Sequence, residues 1–351
     1  METSSSFSNN AREEIISLLR GAFAAPVISF LGRRGYAEAL LSDGLCLKEL
    51  PTGVHLRALV AVFRYLVGLG LLEEAASHRF IPTELGRKVL QRWGAFCVLD
   101  SYNGYFWDLD WTLASSTLPH PTVDRERNTI GSGQFHARKF FPLVLSHLEV
   151  TPYDHLTDLG CGDGTFIEQA LKVRPSLSVS AVDLSEQAIL LVQQRLSSRT
   201  VPVACSSVVC SALEVSSWAP TVTANPAARH LITIWFVLHE IFDGCLETLV
   251  GFFHQIHERF PNATVAFAEL FRLSAEELVS SRHSSIMPEY VLFHELSGQH
   301  LLTANQLSDL LSQIPYQVAF RRTLDFVSSG SRSLPSNTVC ILSPRAEDDE
   351  S

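Results

Sequence analysis

The fold of this chain is indicated most strongly by the segment Asp158-Leu159-Gly160-Cys161-Gly162-Asp163-Gly164-Thr165. Its three glycines let the backbone turn tightly and approach a ligand closely, because no Cβ stands in the way. A strand-like segment precedes the stretch, and the segment from Phe166 to Val173 has the apolar spacing of a helix. A strand, a glycine-rich turn and a helix in this order predict a site for a nucleoside-bearing cofactor.

A second strand follows at the spacing that such a unit requires. The segment from Ser178 to Val182 is typical of a short strand, and Asp183 closes it. In nucleotide-binding units an acidic residue about 20 positions after the glycines binds the ribose hydroxyls. We therefore expect Asp183 to bind a ribose, and we expect an α/β fold with a doubly wound sheet.

The carboxylates of the loop distinguish between cofactors. A dinucleotide site places a pyrophosphate at the helix N-terminus, and Asp158 and Asp163 would repel it. They suit a cationic amino-acid ligand instead. Through this loop and Asp183, the chain resembles the Rossmann-like S-adenosylmethionine-dependent methyltransferases over residues 135–345. The resemblance implies that the methionine part of the cofactor is held by Asp158, Gly160, Gly162, Asp163 and Gly164.

Ser211 follows the strand-like Val208-Val209-Cys210, at a position where the methyltransferases often have an aspartate that faces the adenine. The resemblance implies that its hydroxyl contacts the adenine ring. This chain departs from the family here, since serine replaces the usual aspartate.

Composition bounds the class of protein. The chain has 351 residues, 46% of them hydrophobic and 18% charged, which is enough for two globular domains. A net charge of -10 argues against a nucleic-acid partner, because binding to phosphates rests on lysine and arginine. The seven cysteines are scattered without C-x-x-C spacing, which is typical of a reducing compartment.

No membrane partner is expected either. The N-terminus has no basic start followed by an apolar core, and the apolar stretch from Leu56 to Leu72 is interrupted by Arg57 and Arg64. A cytoplasmic location follows, and the resemblance implies a small-molecule substrate.

We predict four segments along the chain. Residues 1–10 are expected to be a disordered tail, and residues 11–98 a winged-helix domain. Residues 99–134 are expected to form an aromatic linker over the substrate site. Residues 135–345 are expected to form the Rossmann-like catalytic domain.

The winged helix rests on a helix end at Leu69–Leu72 followed by a small hairpin near Phe80–Thr83. Such a domain suggests DNA, so a transcription regulator is the alternative from another class. Its candidate recognition helix, His55 to Leu66, has only Arg57 and Arg64 as cations, which favours a role in dimerisation. The resemblance agrees, since small-molecule O-methyltransferases commonly pair two chains through such a domain. We therefore expect a homodimer.

The linker is rich in aromatic residues, which either fill the joint between domains or roof a substrate cavity, since pockets are common at domain interfaces. In the second case Arg127 would bind a substrate carboxylate through two parallel hydrogen bonds.

The near-continuous apolar run from Leu231 to Leu238 predicts a strand buried on both faces, and His239 and Glu240 follow at its carboxyl end. Open α/β sheets bind their ligands at this end. In the O-methyltransferases that the sequence resembles, a histidine at the position of His239 deprotonates the acceptor hydroxyl.

The segment from Tyr290 to His300 departs from that family. The O-methyltransferases carry a catalytic glutamate here, whereas this chain has His300, so we expect the carboxylate that orients the base to be missing. His239 and His294, with Glu240 or His300, could instead hold iron or zinc, since two histidines and a carboxylate make a metal site with open positions. A structural role for these histidines is the other alternative.

With a metal, the chain is most similar to metal-dependent C-methyltransferases of 2-oxo acids, of the phenylpyruvate or 2-ketoarginine type. The resemblance implies that the metal, as a Lewis acid, acidifies the C3–H of the substrate, and that C3 of the enolate takes the methyl group. Arg127 would fix the carboxylate, and Glu240 or a metal-bound hydroxide would be the base. The alternative is O-methylation with His239 as general base.

Overall fold

The computed structural model describes residues 4–49, 55–75, 78–106, 109–110, 123–199, 202–222, 228–281, 286–325 and 335–345. They form two compact units, one of Met1–Asn103 with Glu126–Phe135 and one of Gly104–Arg125 with His136–Ser351. The predicted linker 99–134 is thus divided between the units. Trp107, Asp108 and the segment 111–122 of that linker lie outside the described residues.

The first unit is mainly helical. Its helices are α1 (Ser4–Arg33), α2 (Tyr36–Asp43), α3 (Leu56–Gly68), α4 (Glu84–Leu90) and α5 (Trp93–Ser101). The short helix α6 (Asn103–Phe106) begins at Asn103, where the first segment of this unit ends. Three antiparallel strands, β1 (Leu45–Cys46), β2 (Leu72–Ala75) and β3 (Arg79–Pro82), form a sheet of order β1-β3-β2.

The start of α1 differs from the sequence expectation. The helix begins at Ser4, so residues 4–10, which we expected to be part of a disordered tail, are helical. Residues 4–20 contain neither glycine nor proline, so no helix-breaking residue separates them from the apolar positions that follow Ile15.

The predicted helix and hairpin of this unit are confirmed. In α3 the side chains of Leu59, Phe63 and Leu66 lie on one face and are buried. The helix begins after His55, whose side chain accepts a hydrogen bond from the backbone N–H of Ala58 at 3.3 Å. Phe63 packs on Phe80 of β3, with ring centroids 5.0 Å apart, so the helix buries its apolar face against the hairpin.

The second unit is built on a seven-stranded mixed sheet of order β6-β5-β4-β7-β8-β10-β9. Its strands are β4 (His155–Leu159), β5 (Ser178–Asp183), β6 (Cys205–Val209), β7 (His230–Trp235), β8 (Thr264–Leu270), β9 (Tyr316–Asp325) and β10 (Pro335–Pro344). Strands β4 to β8 are parallel, and β10 is antiparallel to both of its neighbours. The predicted α/β, Rossmann-like fold is confirmed.

Helices flank this sheet. They are α8 (Phe141–Val150), α9 (Thr165–Val173), α10 (Glu186–Ser197), α11 (Val215–Trp218), α12 (Leu238–Ile241), α13 (Leu246–Arg259), α14 (Ala275–Ser281), α15 (Met287–Leu296) and α16 (Ala304–Gln313). Helix α7 (Arg125–Lys139) is divided between the units, with Glu126–Phe135 in the first unit and its other residues in the second.

Strand β7 is the centre of the core, and all six of its residues are buried, as its apolar sequence predicts. The buried side chains of α13, among them Phe252 and Ile256, belong to the same apolar cluster as Ile232 and Ile234. Full burial of such a side chain contributes roughly 1.5–3 kcal/mol. The core therefore fixes β7 firmly, and with it the segment that follows its carboxyl end.

One helix has a different character. The segment Ala11–Arg33 of α1 is long and apolar enough to cross a membrane by length and composition, although it lies near the N-terminus and 22% of it is buried. The side chains of Ile15, Leu18, Leu19 and Phe23 on this helix are exposed.

Candidate active site

The glycine loop leaves the carboxyl end of β4 in a conformation that requires its glycines. Gly160, Gly162 and Gly164 have φ angles of 69°, 54° and 74°, in the left-handed region that residues with a Cβ rarely adopt. A Cβ on Gly160 would also overlap Cγ2 of Val237, which follows β7. The loop is therefore shaped by its glycines and packed directly on the turn that leads to His239.

Asp158 lies at the base of this loop and is fully buried. Its Oδ1 accepts a 2.6 Å hydrogen bond from the hydroxyl of Thr233, while its Oδ2 has no partner within the described part of the chain. Burial raises its pKa to about 7, although the Thr233 bond lowers it, and the charges of Asp183 and Asp163 raise it further. A buried carboxylate with an unused oxygen fits a cationic ligand group, as the sequence predicts.

Asp163 is held by the protein itself. Its Oδ1 accepts from the backbone N–H of Thr165 at 3.0 Å, and its Oδ2 pairs with Arg195 of α10 at 2.5 Å. Arg195 also donates to the carbonyl of Asp163 and to Glu168, both at 2.8 Å. The sequence predicts Asp163 as a cofactor ligand, and the structure shows in addition a structural role that the spacing alone does not reveal.

Asp183 closes β5 beside the loop, as predicted for a ribose-binding carboxylate. It accepts hydrogen bonds from the backbone N–H groups of Gly162 at 3.0 Å and of Ser185 at 2.8 Å. Burial raises its pKa in spite of these two bonds, and the charge of Glu240 raises it further. Ser211 lies just beyond β6, and its hydroxyl accepts from the backbone N–H of Leu213 at 3.2 Å.

His239 lies on α12, is buried, and faces a carboxylate that sequence analysis missed. Its Nδ1 is 2.8 Å from Oε1 of Glu269, and its backbone N–H donates to Oε2 of the same residue at 3.2 Å. Because a carboxylate only accepts, Nδ1 carries the proton and Nε2 is the basic nitrogen. Burial lowers the pKa of His239, but the Glu269 carboxylate outweighs burial and the net shift is upward.

This pair corrects one expectation. A carboxylate does lie against His239, and it comes from the end of β8 and not from the Tyr290–His300 segment. Glu269 is fully buried and also accepts from the backbone N–H of Leu270 at 2.8 Å. The only sequence signal for it is a single acidic residue in the apolar strand Thr264–Leu270.

His294 of α15 lies beside His239, as predicted. The two ring centroids are 4.7 Å apart and the rings are nearly perpendicular. Nδ1 of His294 donates to the carbonyl of Tyr290 at 2.6 Å, which again leaves Nε2 as the acceptor. Burial, and the charge of His239, lower the pKa of His294 to about 3, so the ring is neutral.

The other predicted metal ligands are placed differently. Glu240 is exposed and pairs with Arg125 at 3.2 Å. His300 is exposed as well, and its charge contributes to the low pKa of Asp243, after hydrogen bonds from Cys245 and Thr248. Among the described residues no group of three or more histidine, cysteine, aspartate or glutamate side chains is arranged to hold a metal.

Arg127 belongs to the first unit, where its Nη1 lies 3.4 Å from Oδ2 of the buried Asp100. Asp100 also accepts from Ser29 at 2.8 Å and from Asn103 at 2.7 Å. The role of Arg127 toward a substrate carboxylate stays a prediction.

We predict that Arg195→Met weakens cofactor binding. Losing several charge-assisted hydrogen bonds would loosen the glycine loop, so the Kd for S-adenosylhomocysteine should rise about 10- to 100-fold. Isothermal titration calorimetry measures this. Arg229→Met is the matched control. Arg229 makes an exposed ion pair with Asp154, 3.7 Å apart, at the amino ends of β4 and β7 and so away from the glycine loop. Equal affinities for both variants would contradict the role of Arg195.

Known proteins share this architecture. Residues 141–272 match a family model described as the methyltransferase small domain, and no curated protein is significantly similar in sequence. An O-methyltransferase family protein from Burkholderia thailandensis is 13% identical, with a TM-score of 0.58, and the match covers 95% of this chain and 98% of that one.

Two further solved structures are similar to the chain. The mitomycin 7-O-methyltransferase MmcR is 15% identical, with a TM-score of 0.52, covering 97% of this chain and 99% of that one. The pyocyanin biosynthetic protein PhzM is 15% identical, with a TM-score of 0.57, covering 96% and 99%. At such identities the likeness concerns the fold. The family match, however, spans the glycine loop, Asp183 and His239. Residues 141–272 therefore form a methyltransferase domain, and the chain is an S-adenosylmethionine-dependent methyltransferase.

Proposed function

We propose that the enzyme methylates an oxygen of a small-molecule acceptor, with His239 as general base. The observation that carries this proposal is the buried pair of His239 and Glu269 at the carboxyl ends of the parallel strands. Nδ1 of His239 and Oε1 of Glu269 are 2.8 Å apart. Its geometry is that of a base whose second nitrogen is oriented by a carboxylate. The glycine loop and Asp183 also lie at the carboxyl ends of parallel strands, so the proposed base His239 and the cofactor site are on the same side of the sheet.

The reaction follows from these groups. Nε2 of His239 takes the proton of the acceptor hydroxyl, and the carboxylate of Glu269 stabilises the imidazolium that forms. The acceptor oxygen attacks the methyl carbon in line, the bond from that carbon to the sulfonium sulfur breaks, and the neutral thioether S-adenosylhomocysteine leaves. The chain contributes orientation and charge stabilisation, and Asp158 and Asp183 hold the cofactor.

The names of similar proteins support an oxygen acceptor. The protein from Burkholderia thailandensis and MmcR are both named as O-methyltransferases, a statement about those proteins. In this chain the His239–Glu269 pair provides the independent physical support.

His294 favours a second candidate, the C3-methylation of a 2-oxo acid. Two adjacent imidazoles whose Nδ1 atoms are both hydrogen-bonded have the orientation that protein ligands of iron or zinc usually have. His239 and His294 would hold the ion, and a metal bound there would supply Lewis acidity toward the oxo and carboxylate oxygens of the substrate. Arg127 is the proposed partner of that carboxylate, and Glu240 the proposed base. Among the described residues no third side chain joins His239 and His294 in an arrangement that could hold a metal, so we place this candidate second.

We also propose that two chains pair through α1. This helix has an exposed apolar patch, formed by Ile15, Leu18, Leu19 and Phe23. Exposure of such a patch to water is unfavourable, and a second copy of the helix would bury it. A winged-helix fold of the first unit and a cytoplasmic location remain proposals. The seven cysteines are scattered without C-x-x-C spacing, which supports a reducing compartment.

The first prediction concerns the base. His239→Asn should lower kcat about 10²- to 10⁴-fold, because no proton acceptor remains. Glu269→Gln should lower kcat and move the acidic limb of the pH profile to lower pH, because the carboxylate raises the pKa of His239. Single-turnover rates across pH check both. Glu258→Gln, a change on the exposed side of α13, is the control. An unchanged acidic limb would argue against the pair.

The second prediction separates O- from C-methylation. If His239 is a base alone, freshly purified protein should hold no stoichiometric iron or zinc by plasma mass spectrometry, and EDTA should leave activity intact. About one metal per chain, lost in His294→Ala, would reverse the order of the two candidates.

The third prediction concerns assembly. Leu18→Glu places a charge in the apolar surface of α1 and should convert a dimer to a monomer in light scattering. Glu13→Lys, a charge change at an already polar exposed position of the same helix, should not. A wild-type monomer at micromolar concentration would refute the pairing.

A further inference from the structure

We infer that His136 is a positioning residue of the active site: its ring holds Phe236 in a left-handed turn, and that turn sets the place of His239. The inference rests on the proposed role of His239. His136 lies on α7 and Phe236 directly follows β7, and both belong to the second unit.

The backbone at Phe236 is unusual. Its φ is 56°, and His78 is the only other non-glycine residue with a positive φ in the described part of the chain. A bulky L-residue avoids this region because its Cβ crowds the carbonyl oxygen. Such a conformation persists only where neighbouring groups hold it, and it is concentrated at functional sites.

The turn is short, so its shape decides where His239 lies. The backbone N–H of Phe236 makes the last sheet bond, to the carbonyl of Ala268 at 2.9 Å. Helix α12 begins two residues later at Leu238 and carries His239 in its first turn. A change of φ at Phe236 would redirect this helix, and the imidazole of His239 would leave Glu269.

The side chain of Phe236 is held by aromatic rings. His136 stacks on it with centroids 4.2 Å apart and an angle of 21°, and Phe140 meets it edge-on at 4.8 Å. His136 is itself enclosed by the edges of Phe140 and Phe141, at 5.6 and 6.0 Å. The ring of His136 is therefore packed flat against Phe236 and bounded by the edges of Phe140 and Phe141.

The neighbouring residue fixes the other side of the turn. Val237 packs closely against Gly160 of the cofactor loop, and a Cβ on Gly160 would overlap the side chain of Val237. Burial, and the charge of His239, lower the pKa of His136 to about 3, so the stacked ring is neutral and adds no cation beside the base. The turn is thus held on both sides, by His136 and Phe140 on Phe236 and by Gly160 against Val237.

Four variants test the inference. His136→Ala removes the stack, His136→Phe keeps a flat ring, and Phe236→Gly and Phe236→Ala both lose the ring. His136→Ala should lower kcat about 10- to 100-fold, the cost of displacing a base by about 1 Å. His136→Phe should stay within about threefold of wild type, and the KM for the cofactor should be unchanged in both.

Phe236→Gly and Phe236→Ala distinguish the backbone from the ring. Glycine adopts a positive φ without strain and alanine does not, so Phe236→Gly should be the more active and the more heat-stable of the two. His254→Ala, which removes an exposed histidine of α13, is the control for the loss of an imidazole.

A second readout is independent of activity. Histidine NMR of the full chain should show a displaced His239 signal in His136→Ala but not in His136→Phe or His254→Ala. If His136→Phe is as impaired as His136→Ala, a ring nitrogen of His136 matters and the inference is wrong. It is equally wrong if His136→Ala changes neither rate nor signal. A wild-type enzyme that methylates no oxygen acceptor would refute the proposed function, while the NMR comparison would still decide the place of His136.

Discussion

The parallel pairing of β7 with β8 determines whether His239 and Glu269 can meet. Trp235 lies level with Ala268 in that parallel pair, and one residue further along β8 is Glu269. Because side chains alternate along a strand, a slip of one residue would turn Glu269 to the opposite face of the sheet. The register is held by the buried apolar residues of β7, so packing in the core decides whether His239 meets its carboxylate.

Charge is the second organising influence. Asp158, Asp163 and Asp183 lie around one loop, and burial raises the pKa of all three. Arg195 compensates only Asp163 directly. A bound cation favours the charged form of the remaining carboxyl groups, so S-adenosylmethionine, with its sulfonium and ammonium groups, is a complementary ligand.

Much of this architecture could be predicted from the sequence, because it depends on local patterns. Glycines at 160, 162 and 164 indicate a loop with positive φ, and the run from Leu231 to Leu238 indicates a buried strand. The structure brings His239 and His294 together, as strand order suggested. Other features depend on contacts between distant segments. Glu269 meets His239 across 30 positions and Arg195 meets Asp163 across 32, so spacing gives no warning of either. The helical start of α1 at Ser4 was missed for another reason, since polar residues without glycine or proline do not end a helix.

The position of β10 has a consequence for how the enzyme is made. It is the last strand described, yet it lies between β8 and β9 and is antiparallel to both. Until residues 335–344 leave the ribosome, β8 is an edge strand on that side, and Glu269 has no Thr338 opposite it. An unpaired edge strand exposes its backbone N–H and C=O groups, so the sheet beside Glu269 is closed only when residues 335–344 have been made. Since domains generally fold as units, the seven-stranded sheet is completed only after nearly all of the described chain has been synthesised.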